Sequence, residues 1–178
     1  MRPAAVLLVV VGAAVASSLL PLAASDSADV ASICSRTPTP ALCLSTSRRY
    51  AHTLSDPVDA HAVLSLQVRA TVRRTKSAKL RVARLADSAL MAVNPAAVEA
   101  LRFCENMYTN ALDTLGAVAR AAEFRDKATA KIMLTLSLQN YASCDYGFKK
   151  IAAENPMARF DASLTKMGNN CIAINDMM

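Results

Sequence analysis

From Leu101 to Phe148, apolar residues return every third or fourth position in two separate runs, the signature of helices with one buried face. Leu101, Cys104, Tyr108, Ala111, Leu112, Leu115, Ala119 and Ala122 form the first stripe. Thr129, Met133, Leu136, Asn140, Cys144, Phe148 and Ile151 form the second, on a helix predicted to end near Glu154. Between them, Glu123 to Lys127 breaks the pattern. Upstream, Asp56 as a cap and Pro57 in the first turn open a helix predicted to reach Met91. Its stripe is His61, Leu64, Val68, Val72, Ala78, Val82, Leu85, Ala89 and Leu90. Asn94-Pro95 repeats the start signal ahead of Leu101, and Asn155-Pro156 precedes a last helix burying Phe160, Leu164, Met167, Cys171 and Ile174.

Four long amphipathic helices with short connections imply antiparallel neighbours, hence an up-down-up-down four-helix bundle over residues 56–178. Asp29 to Tyr50 reads as a small hairpin, because Pro38 and Pro40 break any helix between Cys34 and Cys43. Only 4 glycines and 7 prolines occur, and alternating β-branched runs are scarce, so the composition is all-helical.

The N-terminus changes the compartment. Met1-Arg2-Pro3 is a short positive region, Ala4 to Ala16 an apolar core, and Leu22-Ala23-Ala24 a small-residue cleavage site. That is the anatomy of a secretory signal peptide over residues 1–24, leaving 154 of the 178 residues as one domain with a single core over 25–178. A membrane anchor fits less well, since the apolar core is short and Ser25-Asp26-Ser27 is no basic flank. Cleavage would lower the net charge from +6 to +5, an excess that suits an acidic wall polymer. Nucleic acid is not expected, because no aromatic residues interleave the basic ones.

All 5 cysteines lie beyond the leader, so in an oxidising compartment four can pair in three ways and one is left over. Nearness makes Cys34 and Cys43 natural partners, a short loop worth about 2.7 kcal/mol in the chain-entropy model. In an antiparallel helix pair Cys104 faces the late part of the next helix, which favours Cys144, a loop worth about 3.9 kcal/mol. Cys171 then reads as a buried, unpaired thiol. No C-x-x-C or H-x-x-x-H occurs, and no metal site or cofactor is expected.

Catalysis finds little support. There is no G-x-S-x-G elbow, P-loop or H-E-x-x-H. His61 reads as a hydrogen-bonded core histidine, His52 sits in a connection, and Glu105 and Asp113 read as solvated acids. A filled bundle offers no evident cleft where two carboxylates converge. Arg69, Arg73, Lys76 and Arg84 cluster opposite the first stripe, and no acid occurs from Ala60 to Ala86. A solvated helix face is the plain reading; a contact surface for an acidic partner or for pectin is the sharper one. A bundle enclosing a lipid or small ligand is a further alternative. A rigid, secreted, stapled surface points instead to protein binding.

Across the mature region the chain resembles the plant invertase and pectin methylesterase inhibitors. The resemblance rests on Ile33-Cys34, Thr37, Pro40 and Cys43, on Cys104-Glu105 with Tyr108, Ala111 and Leu115, and on Thr135 through Leu138 followed by Ser143-Cys144-Asp145 and Gly147-Phe148. It implies an N-terminal helical hairpin (25–55) appended to the bundle, disulfides Cys34–Cys43 and Cys104–Cys144, and a free Cys171. It also implies a non-catalytic protein of the cell wall or vacuole that covers the substrate cleft of a pectin methylesterase or an acid invertase. Invertase inhibitors of the family often carry Pro-Lys-Phe between the second and third bundle helices. Here Phe124 remains but the Pro-Lys pair does not, which favours the esterase as target. The run Thr135-Leu136-Ser137-Leu138 departs from the family's Ser-Ala-Ala-Leu at its small residues. Arg69, Arg73, Lys76, Asp113 and Phe124 are the candidate target contacts.

Overall fold

The computed structural model describes residues 23–54, 58–88 and 94–178, with side chains from residue 29 onward. The leader expected over 1–24 therefore falls almost wholly outside the described residues, as do Asp56, Pro57 and Ala89 to Met91. The described residues form six α-helices, in order α1 (Ala23–Ser35), α2 (Pro40–Arg48), α3 (Ala60–Asp87), α4 (Pro95–Glu123), α5 (Lys127–Lys150) and α6 (Ala158–Met177). Among the described residues one 3-10 turn, Ala51–Thr53, leads out of the hairpin.

Local chemistry sets the boundaries. Asp59, not Asp56, caps α3: its Oδ1 accepts from the Ala62 N–H at 2.8 Å. The cap sits where the alanine-rich run begins, with the buried Val58 just before it. Asn94 and Asp126 cap α4 and α5 by the same bond, to Ala97 at 3.1 Å and Thr129 at 3.0 Å, and Pro95 occupies the first helical position as expected.

Both α4 and α5 end in Schellman turns. Asp126 N–H reaches Ala121 O and Arg125 N–H reaches Ala122 O; Ala153 and Ala152 repeat this on Phe148 and Lys149. The left-handed residue is Arg125 (φ 54°) in one turn and Ala152 (φ 49°) in the other, where glycine is usual. α5 thus stops four residues short of Glu154. The last helix also starts later than Pro156, at Ala158, because Asn155 Oδ1 takes the Met157 N–H (2.8 Å) ahead of the first helical turn.

The bundle closes as α3–α4–α5–α6, each helix packed on its sequence neighbour and α6 back on α3. His61 Nε2 meets Ala122 O at 2.8 Å, pinning the start of α3 to the end of α4, and Arg102 pairs with Asp87 at the opposite end. This histidine is half-buried at the rim rather than in the core. One core cluster holds Leu64, Val68, Leu115, Leu134 and Ile174 beside the hairpin's Val30, Cys34 and Cys43. The other surrounds Cys104 and Cys144 with Leu101, Tyr108, Tyr141, Phe148 and Leu164.

The α5 stripe differs from expectation by one position. Ala130, Leu134, Ser137, Tyr141, Cys144 and Phe148 face inward, while Leu136 and Ile151 are exposed. Polar atoms at two of these inward positions have partners waiting: Tyr141 Oη lies 2.8 Å from Thr75 Oγ1, and Ser137 Oγ 2.7 Å from Thr114 Oγ1. On α4, Val118 is buried and Ala119 exposed, a one-residue exchange of the same kind.

The hairpin docks by polar anchors. Gln67, fully buried on α3, donates to Cys43 O at 2.8 Å and to Ser47 Oγ at 2.7 Å. Asn170 on α6 accepts from Thr39 N–H and donates to Thr39 O, at 3.0 and 3.1 Å. Stripping either residue of its partner would leave a buried amide unsatisfied, at a cost of about 1–3 kcal/mol.

Candidate functional site

Disulfides join Cys34 to Cys43 and Cys104 to Cys144, with Cα atoms 5.5 Å and 4.6 Å apart. The second spans α4 and α5, so the helix pair whose outer side meets solvent is covalently clipped at one end. Cys171 is buried and unpaired, 3.8 Å from Thr71 Oγ1, and burial pushes its thiol up to about 12. It has no thiolate character.

The titratable groups of the interior serve packing. Tyr108 donates to Asp161 Oδ1 at 2.6 Å, and Asn155 Nδ2 donates to Asp161 Oδ2 at 3.0 Å. Burial raises the Asp161 carboxyl to about 6 against the lowering effect of both hydrogen bonds. Tyr108 and Tyr141 are likewise raised, chiefly by burial. Among the described residues no three His, Cys, Asp or Glu side chains gather closely enough to hold a metal ion. No described helix is long and apolar enough to cross a membrane.

The candidate contacts divide in space. Arg69 and Arg73 lie one turn apart on α3 and turn toward the hairpin: Arg69 stacks over the Tyr50 ring at 4.7 Å, and Arg73 lines a groove against α2. Lys76, one turn further, is exposed. Asp113 is exposed on α4 and, from the antiparallel register, sits at the height of Arg69 to Lys76 on the neighbouring helix. Phe124 stands at the α4–α5 turn, 83% exposed. Its neighbour Arg125 pairs with Asp59 at 3.5 Å.

The structure shows a broader pattern, of which the sequence pointed only to Phe124. The exposed large apolar residues among those described are Leu80, Phe103, Phe124, Ile132, Leu136, Tyr146 and Ile151. All but Leu80 belong to α4, α5 or the residues that end them. Phe103, Tyr146 and Ile151 line a shallow cleft of about 320 Å³ at the clipped end. Ile132 and Leu136 lie further along α5, and Phe124 marks the far end. Phe103, Ile132 and Tyr146 stand off the stripes read from the sequence, whereas the expected α5 stripe includes Leu136 and Ile151; three of the chain's eight Phe and Tyr residues, Phe103, Phe124 and Tyr146, are exposed.

The architecture is thus that of a disulfide-clipped, all-α bundle carrying a docked N-terminal hairpin, with an apolar band on one helix pair. The sequence profile described as plant invertase/pectin methylesterase inhibitor matches residues 28–174, and the chain belongs to this family, whose members are inhibitors rather than enzymes. Two solved structures share the fold. A mutant form of a pectin methylesterase inhibitor from Arabidopsis superposes with a TM-score of 0.67 at 16% identity, covering 84% of this chain and 97% of that one. A pectin methylesterase inhibitor from Arabidopsis thaliana gives 0.62 at 18% identity, covering 85% and 97%. No curated protein sequence matches the chain.

Proposed function

We propose that the protein is a secreted inhibitor of pectin methylesterase that blocks the enzyme's substrate cleft stoichiometrically, its leader being residues 1–24. The observation that carries the reading, beyond family membership, is the concentration of exposed apolar side chains on the α4–α5 pair. Such a band is what a protein-binding face requires: aromatic anchors at Phe103, Tyr146 and Phe124 with charged residues between them. Asp113 lies on one of the two helices that carry this band, whereas Arg69, Arg73 and Lys76 lie on α3, the first two against the hairpin. The Cys104–Cys144 bridge beneath it keeps both helices rigid, which lowers the ordering cost of association. The test is methanol release from esterified pectin by a plant pectin methylesterase, titrated with the secreted protein. A loss of activity complete near one inhibitor per enzyme supports the reading, and undiminished activity across several isoforms ends it.

Acid invertase is the second reading, and Phe124 favours it. This side chain projects from the α4–α5 turn, the place where invertase inhibitors of the family carry Pro-Lys-Phe. Sucrose hydrolysis measured in the same titration separates the two targets.

A further inference from the structure

Three acid-free stretches of the chain meet at one place on the surface. Neither Val30 to Ser55, Ala60 to Ala86, nor Ala162 to Asn175 contains Asp or Glu. Packing of α2 on α3 and α6 brings them together. At the seam lies a groove of about 330 Å³ lined by Arg49, Arg73 and Arg74 with Ser45, Ser77 and Ser163. A second hollow of about 700 Å³ shares Leu42 and Ser163 with the first and adds Arg159, Lys166, Pro38 and Pro40. The two adjoin at these shared residues and form one trough along the join of hairpin and bundle.

Five cations line this trough, no carboxylate does, and none of the five takes part in an ion pair among the described residues. Arg74 is held in place by its stack on Phe160, 4.1 Å from the guanidinium carbon to the ring centre, and its Nε is buried without a hydrogen-bond partner. Like charges gathered along a low-dielectric wall concentrate positive potential there. Guanidinium groups bind carboxylates through paired N–H donors, and the serine hydroxyls between them match the hydroxyls of a sugar. Two adjoining hollows with cations in each suit a linear chain of charges better than one small anion. Stacked bases are disfavoured, because Tyr50 is the one aromatic lining residue and Arg69 already covers a face of its ring.

We propose that this trough binds a linear uronate polysaccharide, its carboxylates lying along Arg49, Arg73 and Arg74 and then Arg159 and Lys166. The site is separate from the band proposed to meet an enzyme: the hairpin helix packs on α3 and α6, and the apolar band lies on α4 and α5. The proposal does not depend on which enzyme, if any, is inhibited. Occupation of both surfaces at once would tether the protein to an acidic polymer while it engages a partner.

Calorimetric titration of the secreted protein with an oligomer of about ten galacturonic acid units tests this, at roughly 0.1 M salt so that distant charges are screened. The acidic oligomer is expected to bind, and its fully methyl-esterified counterpart is not. Arg49→Ser with Arg73→Ser, both exposed positions, should weaken binding at least about tenfold through loss of two charge-assisted contacts. Arg120→Ser with Lys127→Ser, exposed and remote from the seam, removes the same charge and should change it less than about twofold. Absence of binding, equal loss from both pairs, or tighter binding of single-stranded DNA of similar length would overturn the proposal. Arg49→Ser with Arg159→Ser, exposed trough positions outside the candidate target contacts, should weaken oligomer binding and leave esterase inhibition unchanged; loss of inhibition would contradict the separation of the two surfaces.

Discussion

Tyr108 on α4 donates a 2.6 Å hydrogen bond to Asp161 at the start of α6, across the core and beside the Cys104–Cys144 bridge. Asp161 is 6% exposed and receives a second bond from Asn155, whose other donor contact is Asp145. Burial outweighs these bonds and leaves the carboxyl at about 6. In the unfolded chain it titrates near 3.8. Between those values the folded protein holds more protons, so the stability this group contributes is full below pH 3.8 and is lost as pH rises through 6.

Asp161→Asn should remove that dependence. Asparagine keeps the shape of the protonated acid: its amide can donate to the Tyr108 oxygen while its carbonyl accepts from Asn155. The variant is expected to gain on the wild type as pH rises from 4 to 7, by on the order of 2 to 3 kcal/mol. Denaturant unfolding at several pH values checks it, and parallel pH profiles for the two proteins would refute it. Asp145 and Asp59 are shifted downward, by Lys149 and by the Ala62 N–H first of all, so they weaken the fold only at more acid pH and do so in both proteins.

The thiol count gives a second check. Native protein should show no thiol reactive toward iodoacetamide at pH 8, and denatured unreduced protein should show the one from Cys171. Replacing both Cys104 and Cys144 by serine should cost about 2–4 kcal/mol in urea unfolding, the usual worth of a bridge closing a loop of this length. Rapid alkylation of the folded chain would mean that Cys171 is not enclosed.

Ala152 holds the left-handed position that ends α5. Ala152→Gly should therefore stabilise the protein by about 0.5–1 kcal/mol, since glycine takes positive φ without a steric cost. Arg125→Gly should gain less, because it also forfeits the ion pair with Asp59. Thermal unfolding of both variants measures the difference, and a destabilised Ala152→Gly would contradict the assigned turn.

The helices were legible because their apolar spacing is regular and three of their caps are Asn or Asp. What escaped depended on partners distant in sequence. Ser137 and Tyr141 look like surface residues until Thr114 and Thr75 are placed against them, so the α5 stripe was displaced onto Leu136. The end of α5 was overestimated because no glycine marks it. Asp56 and Asp59 are equivalent caps by composition, and the bond from the Ala62 N–H identifies Asp59 as the cap. Arg69 and Arg73 were recognised as an acid-free face, but the hairpin that turns this face into the side of a trough was not foreseeable from one helix. The apolar band on α4 and α5 went unseen for the opposite reason: exposed Phe103 and Tyr146 resemble core residues in any hydrophobic count.

That band makes a specific demand on inhibition. Phe124→Ser and Tyr146→Ser, at exposed positions, should leave thermal stability within about 0.5 kcal/mol of wild type. Together they should weaken enzyme inhibition by at least about tenfold, as expected for loss of aromatic anchors. Equal potency of the double variant would move the contact surface elsewhere on the bundle.

The most direct measurement sets the folded protein, without residues 1–24, against a purified plant pectin methylesterase and an acid invertase side by side. Esterase activity should fall in proportion to added protein and end near a one-to-one ratio, while sucrose hydrolysis continues. Full esterase activity at a several-fold excess of folded protein would contradict the proposed function.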